Sequence, residues 1–273
     1  MNKVICVALL IGSVLAAGAT AEPVFFATQG TTLFRVSDGG VDSFTLSDVI
    51  TALSVAPDGT FWGTSFTDDD GDGLRELYTL ANPFGDSPAL VLQGDFLEEN
   101  TPSITFIDSM MYGFQKDPDA PPETGVLVTI DPDGQTQALV GDTGSTGIAP
   151  GGSAYDPVND VLYAMVKHGD GQLFTVDYDL EGGTDPTGTS LGSFDLAFGN
   201  NGAEYYDGLL YMVSQLSGDG PLSLGVIAPD TVTYTELLQF GPPAAEPIGL
   251  AVIPEPATLL LLGLGACALA RRR

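Results

Sequence analysis

Four bulky dipeptides recur along the chain: Phe61-Trp62, Met111-Tyr112, Leu162-Tyr163 and Leu210-Tyr211, their second members 50, 51 and 48 residues apart. Each follows a shorter run, at residues 52–56, 103–107, 152–155 and 202–206. Between run and pair lies a turn such as Ala56-Pro57-Asp58-Gly59 or Asp156-Pro157-Val158-Asn159-Asp160. Pro presets φ at the first position of such turns, and Asp, Asn and Gly accept the rest. Behind each pair come a Gly- or Asp-rich loop and another strand, at residues 76–80, 126–130, 172–176 and 222–227. A fourth strand, less regular, completes each unit. Short strands of alternating polarity between turn signals read as antiparallel sheet. Four of them repeating at this period read as the blades of a β-propeller.

The ends of the repeat region supply the pieces of one more unit. Residues 23–28, followed by Leu33-Phe34-Arg35-Val36, read as the second and third strands of a blade without its first. Residues 247–252, Pro-Ile-Gly-Leu-Ala-Val, read as a first strand with nothing after it. Pairing the last strand into the first blade closes a ring and removes edges that would template aggregation. With Phe26, Trp62, Tyr112, Tyr163 and Tyr211 as equivalent anchors, the expectation is an all-β propeller of five four-stranded blades, its N- and C-terminal strands sharing one blade. The competing fold is a β-sandwich, which does not call for such a period. Helix is expected to be almost absent from the body, because no stretch sustains a helical apolar period between Gly and Pro breaks. The Gly-rich stretch 144–152 reads as a linker between strands. The anchors read as core, with a second reading for Trp62, the only tryptophan, as part of a ligand surface.

The chain divides into residues 1–21, 22–252 and 253–273. Lys3, an apolar stretch over 4–17 and Ala19-Thr20-Ala21 read as a secretory signal peptide cleaved after Ala21. Cys6 falls in this leader and Cys267 near the other end, so the body is expected to hold together without a disulfide. Between the two ends, 35 acids face 4 bases (Arg35, Arg75, Lys116 and Lys167), a net charge of −31. Such a surface excludes nucleic acid as a partner, because phosphate contacts need Lys and Arg. It keeps an exported protein soluble, and some of the acids are candidate ligands for divalent cations.

The densest acidic stretch is Asp68-Asp69-Asp70-Gly71-Asp72-Gly73-Leu74-Arg75-Glu76. Asp68, Asp70, Asp72 and Gly73 fit positions 1, 3, 5 and 6 of a calcium loop, with Glu76 at position 9. Thr79 stands at position 12, where a bidentate Glu belongs, and the flanks are strands, so this is no EF-hand. Two readings stand: Ca²⁺ held by Asp68, Asp70, Asp72 and Glu76 in a hairpin loop, or a hydrated acidic turn. Repulsion among neighbouring carboxylates leans toward an ion. The equivalent loops at 116–125, 167–171 and 217–220 hold fewer acids.

Catalytic signatures are sparse. His168, the one histidine, sits in a loop between Lys167 and Gly169, and the body has neither a cysteine nucleophile nor a Gly-x-Ser-x-Gly elbow. No pair of histidines exists to hold zinc, and no Gly-rich loop with a Lys exists to cradle phosphate. An enzyme is therefore not expected. The catalytic alternative is a carbohydrate-active propeller, which needs only two carboxylates about 5–10 Å apart.

Beyond the body, Pro254-Glu255-Pro256 precedes an apolar run over 257–270 and then Arg271-Arg272-Arg273. The run falls short of the roughly 20 residues of a comfortable membrane span. The arginines would stay on the cytoplasmic side, and the prolines keep their own segment extended. A short hydrophobic helix held transiently in the inner membrane is expected, the alternative being an ordinary C-terminal anchor. The stretch resembles the PEP-CTERM sorting signal that exosortases recognise in exopolysaccharide-producing Gram-negative bacteria. That resemblance implies Sec-dependent export, exosortase processing near Pro254-Glu255-Pro256, and residence in the envelope, outer surface or extracellular matrix, in contact with exopolysaccharide. Similar tails are carried by some ice-binding proteins, whose flat Thr ladder is echoed here only by Thr231-Val232-Thr233-Tyr234-Thr235. The body in turn resembles secreted bacterial propellers with Ala-Tyr-Asp-Pro…Leu-Tyr…Leu-Phe-x-Val-Asp repeats, a group of binding modules, scaffolds and a few enzymes. A non-catalytic binding or structural propeller, exported and sorted, is the expected function.

Overall fold

The structure, a computed structural model, describes residues 22–68, 71–98, 100–116, 124–146, 150–166, 171–178, 185–194, 198–216, 220–243 and 248–254. Phe25–Ile253 forms one compact unit; Met1–Val24 with Pro254–Arg273 forms a second, of which 22–24 and Pro254 are described. The expected leader and the tail helix over 257–270 lie outside the described residues. Among those described, no helix is long and apolar enough to cross a membrane.

The body is all β. The first blade opens with Pro23–Gln29 (β1), Thr32–Ser37 (β2) and Gly40–Thr45 (β3). Ile50–Val55 (β4), Phe61–Ser65 (β5), Arg75–Ala81 (β6) and Ala89–Leu97 (β7) make the second. The third is Ser103–Ile107 (β8), Met110–Lys116 (β9), Thr124–Asp131 (β10) and Thr136–Thr146 (β11). The fourth is Pro150–Asp156 (β12), Val161–Val166 (β13), Gln172–Asp177 (β14) and Thr187–Ser193 (β15). The fifth is Phe198–Tyr206 (β16), Leu209–Leu216 (β17), Leu222–Ala228 (β18) and Thr233–Phe240 (β19). Leu250–Pro254 (β20) then returns to the first blade, whose order is β20-β1-β2-β3. The five sheets have four strands each, and the closing strand lies beside the one bearing Phe25 and Phe26, as the half-units at the two ends predict. The Thr28 amide donates to the Gly249 carbonyl at 3.0 Å across this closure.

Burial falls from the axis outward. The inner strand β4 is buried at five of its six positions, whereas the outermost β3 is exposed at all but one. Inner strands are covered on both faces by neighbouring blades, so their small polar residues, such as Thr51, Ser54, Ser103 and Ser153, are buried with the apolar ones; outer strands face water. The core is correspondingly split into wedges between blades. Phe25, Tyr211, Leu224, Ile248 and Leu250 fill the gap between the fifth blade and the first. Ile104, Met111 and Ile130 meet Ala52 and Leu77 between the second and third, where Trp62 packs half-buried at the edge of the cluster. Aromatic rings cross the same gaps edge-on, Phe25 with Tyr211 at 5.0 Å and Phe26 with Phe61 at 4.8 Å.

The hairpin turns explain part of the acidic composition. The turns that join first and second strands place Gly59, Asp108, Asp160 and Asp207 at φ of 88°, 54°, 56° and 49°. Asp and Gly are the residues that take this left-handed conformation most readily. Asp58, Asp131 and Asp156 accept main-chain amides two residues on, from Thr60, Asp133 and Val158 at 2.8, 3.1 and 2.8 Å.

One expectation needs correcting. Gly144 and Gly151-Gly152 are not linker: the first lies in β11 and the others in β12, where Gly152 lies against the backbone of residues 202–203. The segment 231–235, which the sequence gives little support as a Thr ladder, is split: Val232 turns the chain at φ 48° with its side chain buried, and β19 starts at Thr233.

Candidate functional site

The inner strands leave almost no channel. At its waist the space amounts to about 10 Å³, lined by Leu53, Ser103, Ser153, Ala203, Leu250 and the backbone beside them. That is room for about one water. The closure is made by main chain. A Cβ on Gly152 would stand 2.7 Å from the Ala203 amide nitrogen, one on Gly202 2.6 Å from that of Leu250, and one on Gly249 2.6 Å from that of Leu53. Each glycine thus lets its strand rest directly on the next. Ala52, Pro102, Gly152, Gly202 and Gly249 are spaced by 50, 50, 50 and 47 residues, a second repeat as regular as the aromatic one. This signal was present in the sequence, but small residues at a fixed interval do not by themselves say that a backbone lies against them.

Hydrogen bonds from the first and second strands and the loop before β8 tie neighbouring blades together. The Thr64 hydroxyl donates to the Thr101 carbonyl at 2.7 Å, and the Gln115 amide donates to the Thr101 hydroxyl at 2.9 Å. The hydroxyls of Ser103 and Ser153 bond between the third blade and the fourth. Thr28 accepts the Gly249 amide at 2.7 Å and donates to the Ile50 carbonyl at 3.2 Å, joining closing strand, first blade and second.

Glu204 is the carboxyl that reaches across the axis. Two residues beyond Gly202 on β16, it accepts the Ser54 hydroxyl of β4 at 3.1 Å, although the first blade lies between their own two. Some of the residue's surface stays exposed, but the carboxyl is enclosed. Burial pushes it up to about 8, against hydrogen bonds from the Ser54 hydroxyl and the Tyr205 and Val55 amides. At neutral pH the carboxyl is therefore protonated. Its partners among the described residues are a hydroxyl and main-chain amides.

A second constellation lies at the hairpin turns of the fourth blade. Tyr155 donates to the Asp160 carboxylate at 2.8 Å, and Tyr178 donates to the same oxygen. These bonds, that from Tyr178 foremost, hold the Asp160 carboxyl below its usual range. Burial, followed by Asp160, raises the Tyr178 phenol. Tyr112 of the third blade meets Tyr178 at 5.9 Å, edge to face, so the group locks two blades. Asp156 nearby is buried; burial raises its carboxyl, but donors on Asn159, Val158 and Tyr205 outweigh that and lower it.

The proposed calcium ligands do not converge among the described residues. Asp68 accepts the amides of Gly71 at 2.6 Å and Gly73 at 2.9 Å and faces the Arg75 guanidinium at 3.6 Å. Burial raises its carboxyl, but these partners prevail and lower it. Asp72 accepts the Leu74 amide at 2.8 Å. Glu76 is buried in the blade, bonded by the Ser65 hydroxyl. Asp70 lies outside the described residues, as do Asp117, Asp119, Glu123, His168, Asp170 and Asp219. Among those described, no group of three metal-ligating side chains forms. Asp68 can keep its amides and still offer lone pairs to an ion, whereas Glu76 would have to leave the core to join one.

Of the sorting residues, Pro254 ends β20, while Glu255, Pro256, Arg271, Arg272 and Arg273 are outside the described region. The PEP-CTERM protein-sorting motif matches residues 252–273. No curated protein matches the sequence. Among solved structures the chain is similar to a Thermus thermophilus protein named for an oxidoreductase activity (glucose dehydrogenase), at 14% identity and TM-score 0.46, over 77% of this chain and 78% of that one. It is also similar to a Bacteroides uniformis protein named for 6-phosphogluconolactonase activity, at 11% identity and TM-score 0.42, over 81% and 83%. The tricorn protease matches at 16% identity and TM-score 0.46, over 80% of this chain but 22% of its own. Likenesses this distant carry neither substrate nor activity to this chain. What the ring and the motif do establish is a five-bladed β-propeller that carries a PEP-CTERM protein-sorting motif at residues 252–273.

Proposed function

We propose that this is an exported, exosortase-sorted protein of the Gram-negative cell envelope or exopolysaccharide layer, whose propeller is a non-catalytic binding or structural body. The sorting motif at 252–273 carries the reading. The narrow waist is in keeping with its second half: among the described residues the inner strands leave space there for about one water.

The test is processing in an exosortase-bearing host. Mass spectrometry of the envelope-associated protein is expected to show a C-terminus near residue 255, without Cys267 or the arginines. Replacing Pro254-Glu255-Pro256 by alanines is expected to leave export intact while the uncut form accumulates in the inner membrane. Recovery of intact 257–270 as the dominant form would make the tail an ordinary anchor. Turnover of the host's exopolysaccharide by the purified body, lost in Glu204→Gln, would replace the non-catalytic reading with an enzyme.

A further inference from the structure

Between Val252 and Pro254 the ring and the sorting motif are made of the same residues. The motif begins at 252, while β20, which closes the ring, runs Leu250–Pro254. Val252 is 5% exposed and packs in one cluster with Phe25, Tyr211 and Leu250; Ala251 beside it is fully buried. No spacer separates an innermost strand from Pro-Glu-Pro.

An enzyme that cuts a peptide needs it drawn out over several residues, and a segment packed in a core offers that only by local unfolding. We propose that ring closure by β20 and processing of the tail compete for Val252–Pro254, so that the sorting step draws on the propeller with its last strand undocked. The inference rests on the exosortase reading given above. With β20 undocked, β1 has an open edge and the apolar faces of Phe25, Tyr211, Ile248 and Leu250 lose their cover. Such a form is short-lived, since hydrophobic burial pulls the strand back. In the processing step one amide C–N bond breaks; the acyl carbon passes to water or to an acceptor hydroxyl or amine, whose proton goes to the departing amine. Once that bond is cut, β20 docks with nothing beyond it and the competition ends.

The test separates the two roles of the shared residues. In one variant a flexible Gly-Ser spacer and a second copy of Val-Ile-Pro are inserted between Pro254 and Glu255, which leaves β20 and the whole motif intact but no longer overlapping. In another, Val252→Ala loosens closure. Pulse-chase in the sorting host follows the uncut precursor, and melts of the purified bodies check that the spacer variant folds like the wild type. The precursor is expected to disappear about threefold faster or more in both variants, because the reactive population is the open one. Equal half-lives in all three forms, with normal processing, would overturn the competition while leaving the sorting reading in place. Processing in none of them, or undiminished processing after Pro254-Glu255-Pro256 is replaced by alanines, would overturn the sorting reading and the competition with it.

Discussion

At Gly152, Gly202 and Gly249 a hydrogen stands where another residue would put a carbon within 2.7 Å of the next strand's amide nitrogen. Backbone on both sides leaves nothing flexible to yield. Gly202→Ala is therefore expected to cost about 1–3 kcal/mol, read as a melting temperature lower by roughly 3–10 °C. Gly39→Ala, whose added carbon would meet only the Ser37 hydroxyl oxygen at 3.6 Å, is the control and should leave the melt nearly unchanged. Glu204 makes a prediction of opposite kind. Its folded-state value, about 8, is raised above that of the unfolded chain, so the stability tied to its neutral form is fully present below about pH 4.5 and is lost as pH rises through about 8. Glu204→Gln keeps a neutral acceptor for Ser54 and removes that loss. The variant is expected to match the wild type near pH 4.5 and to exceed it by roughly 2–4 kcal/mol at pH 8.5, discounted for partial exposure. Denaturant melts at the two values check it; parallel pH dependences would show that the wild-type carboxyl is ionised and solvated.

Among the elements, inner and outer strands solve different problems. Every blade ends in a strand with one open edge, and those edges expose Val41, Leu92, Leu139, Leu191 and Leu237. Four of the five carry a bulge at the same place, leaving Gln93, Val140, Leu191 and Leu237 without a partner in the register. A bulge sharpens the twist and spoils the edge as a template for another chain. This regularity explains why the fourth strands look irregular in sequence: the extra residue breaks the polar alternation by which a strand is recognised. The closing strand has no such protection until it is docked. A chain ending before Ile248 is expected to lose its cooperative melt and scatter light, and a peptide spanning 247–254 is expected to restore the monomer. A truncated chain that melts like the whole would mean that four complete blades stand without closure.

For the whole molecule, a body charge of −31 works against compaction by self-repulsion. Screening relieves it, so raising NaCl from about 20 mM to about 300 mM is expected to raise the melting temperature by several degrees. Calcium at matched ionic strength separates screening from binding. Glu76, buried and bonded by Ser65, would have to leave the core to join an ion, so no further rise is expected. A calcium-specific rise, abolished by Asp70→Ala, would return the ion to the 68–76 loop.

The repeat, the blade count and the closing of the ring by its two ends were legible in the sequence, because their causes are local. A turn that needs a left-handed residue selects Asp or Gly at Asp108, Asp160 and Asp207, and the bulky pairs that open the second strands recur at a fixed interval. The same holds for Pro254-Glu255-Pro256 with its apolar run and arginines, a signal read as a linear segment. The acidic stretch was just as visible, but which of its oxygens an amide claims depends on how the loop folds back upon itself, as Asp68 does on Gly71 and Gly73. The waist and its lock were decided only by the tertiary structure. Ser54 and Glu204 are separated by 150 residues, and Tyr112 and Tyr178 come from different blades. No local pattern can specify that a glycine will meet another strand's amide, or that a carboxyl will be stripped of water; both follow from bringing five inner strands against one axis.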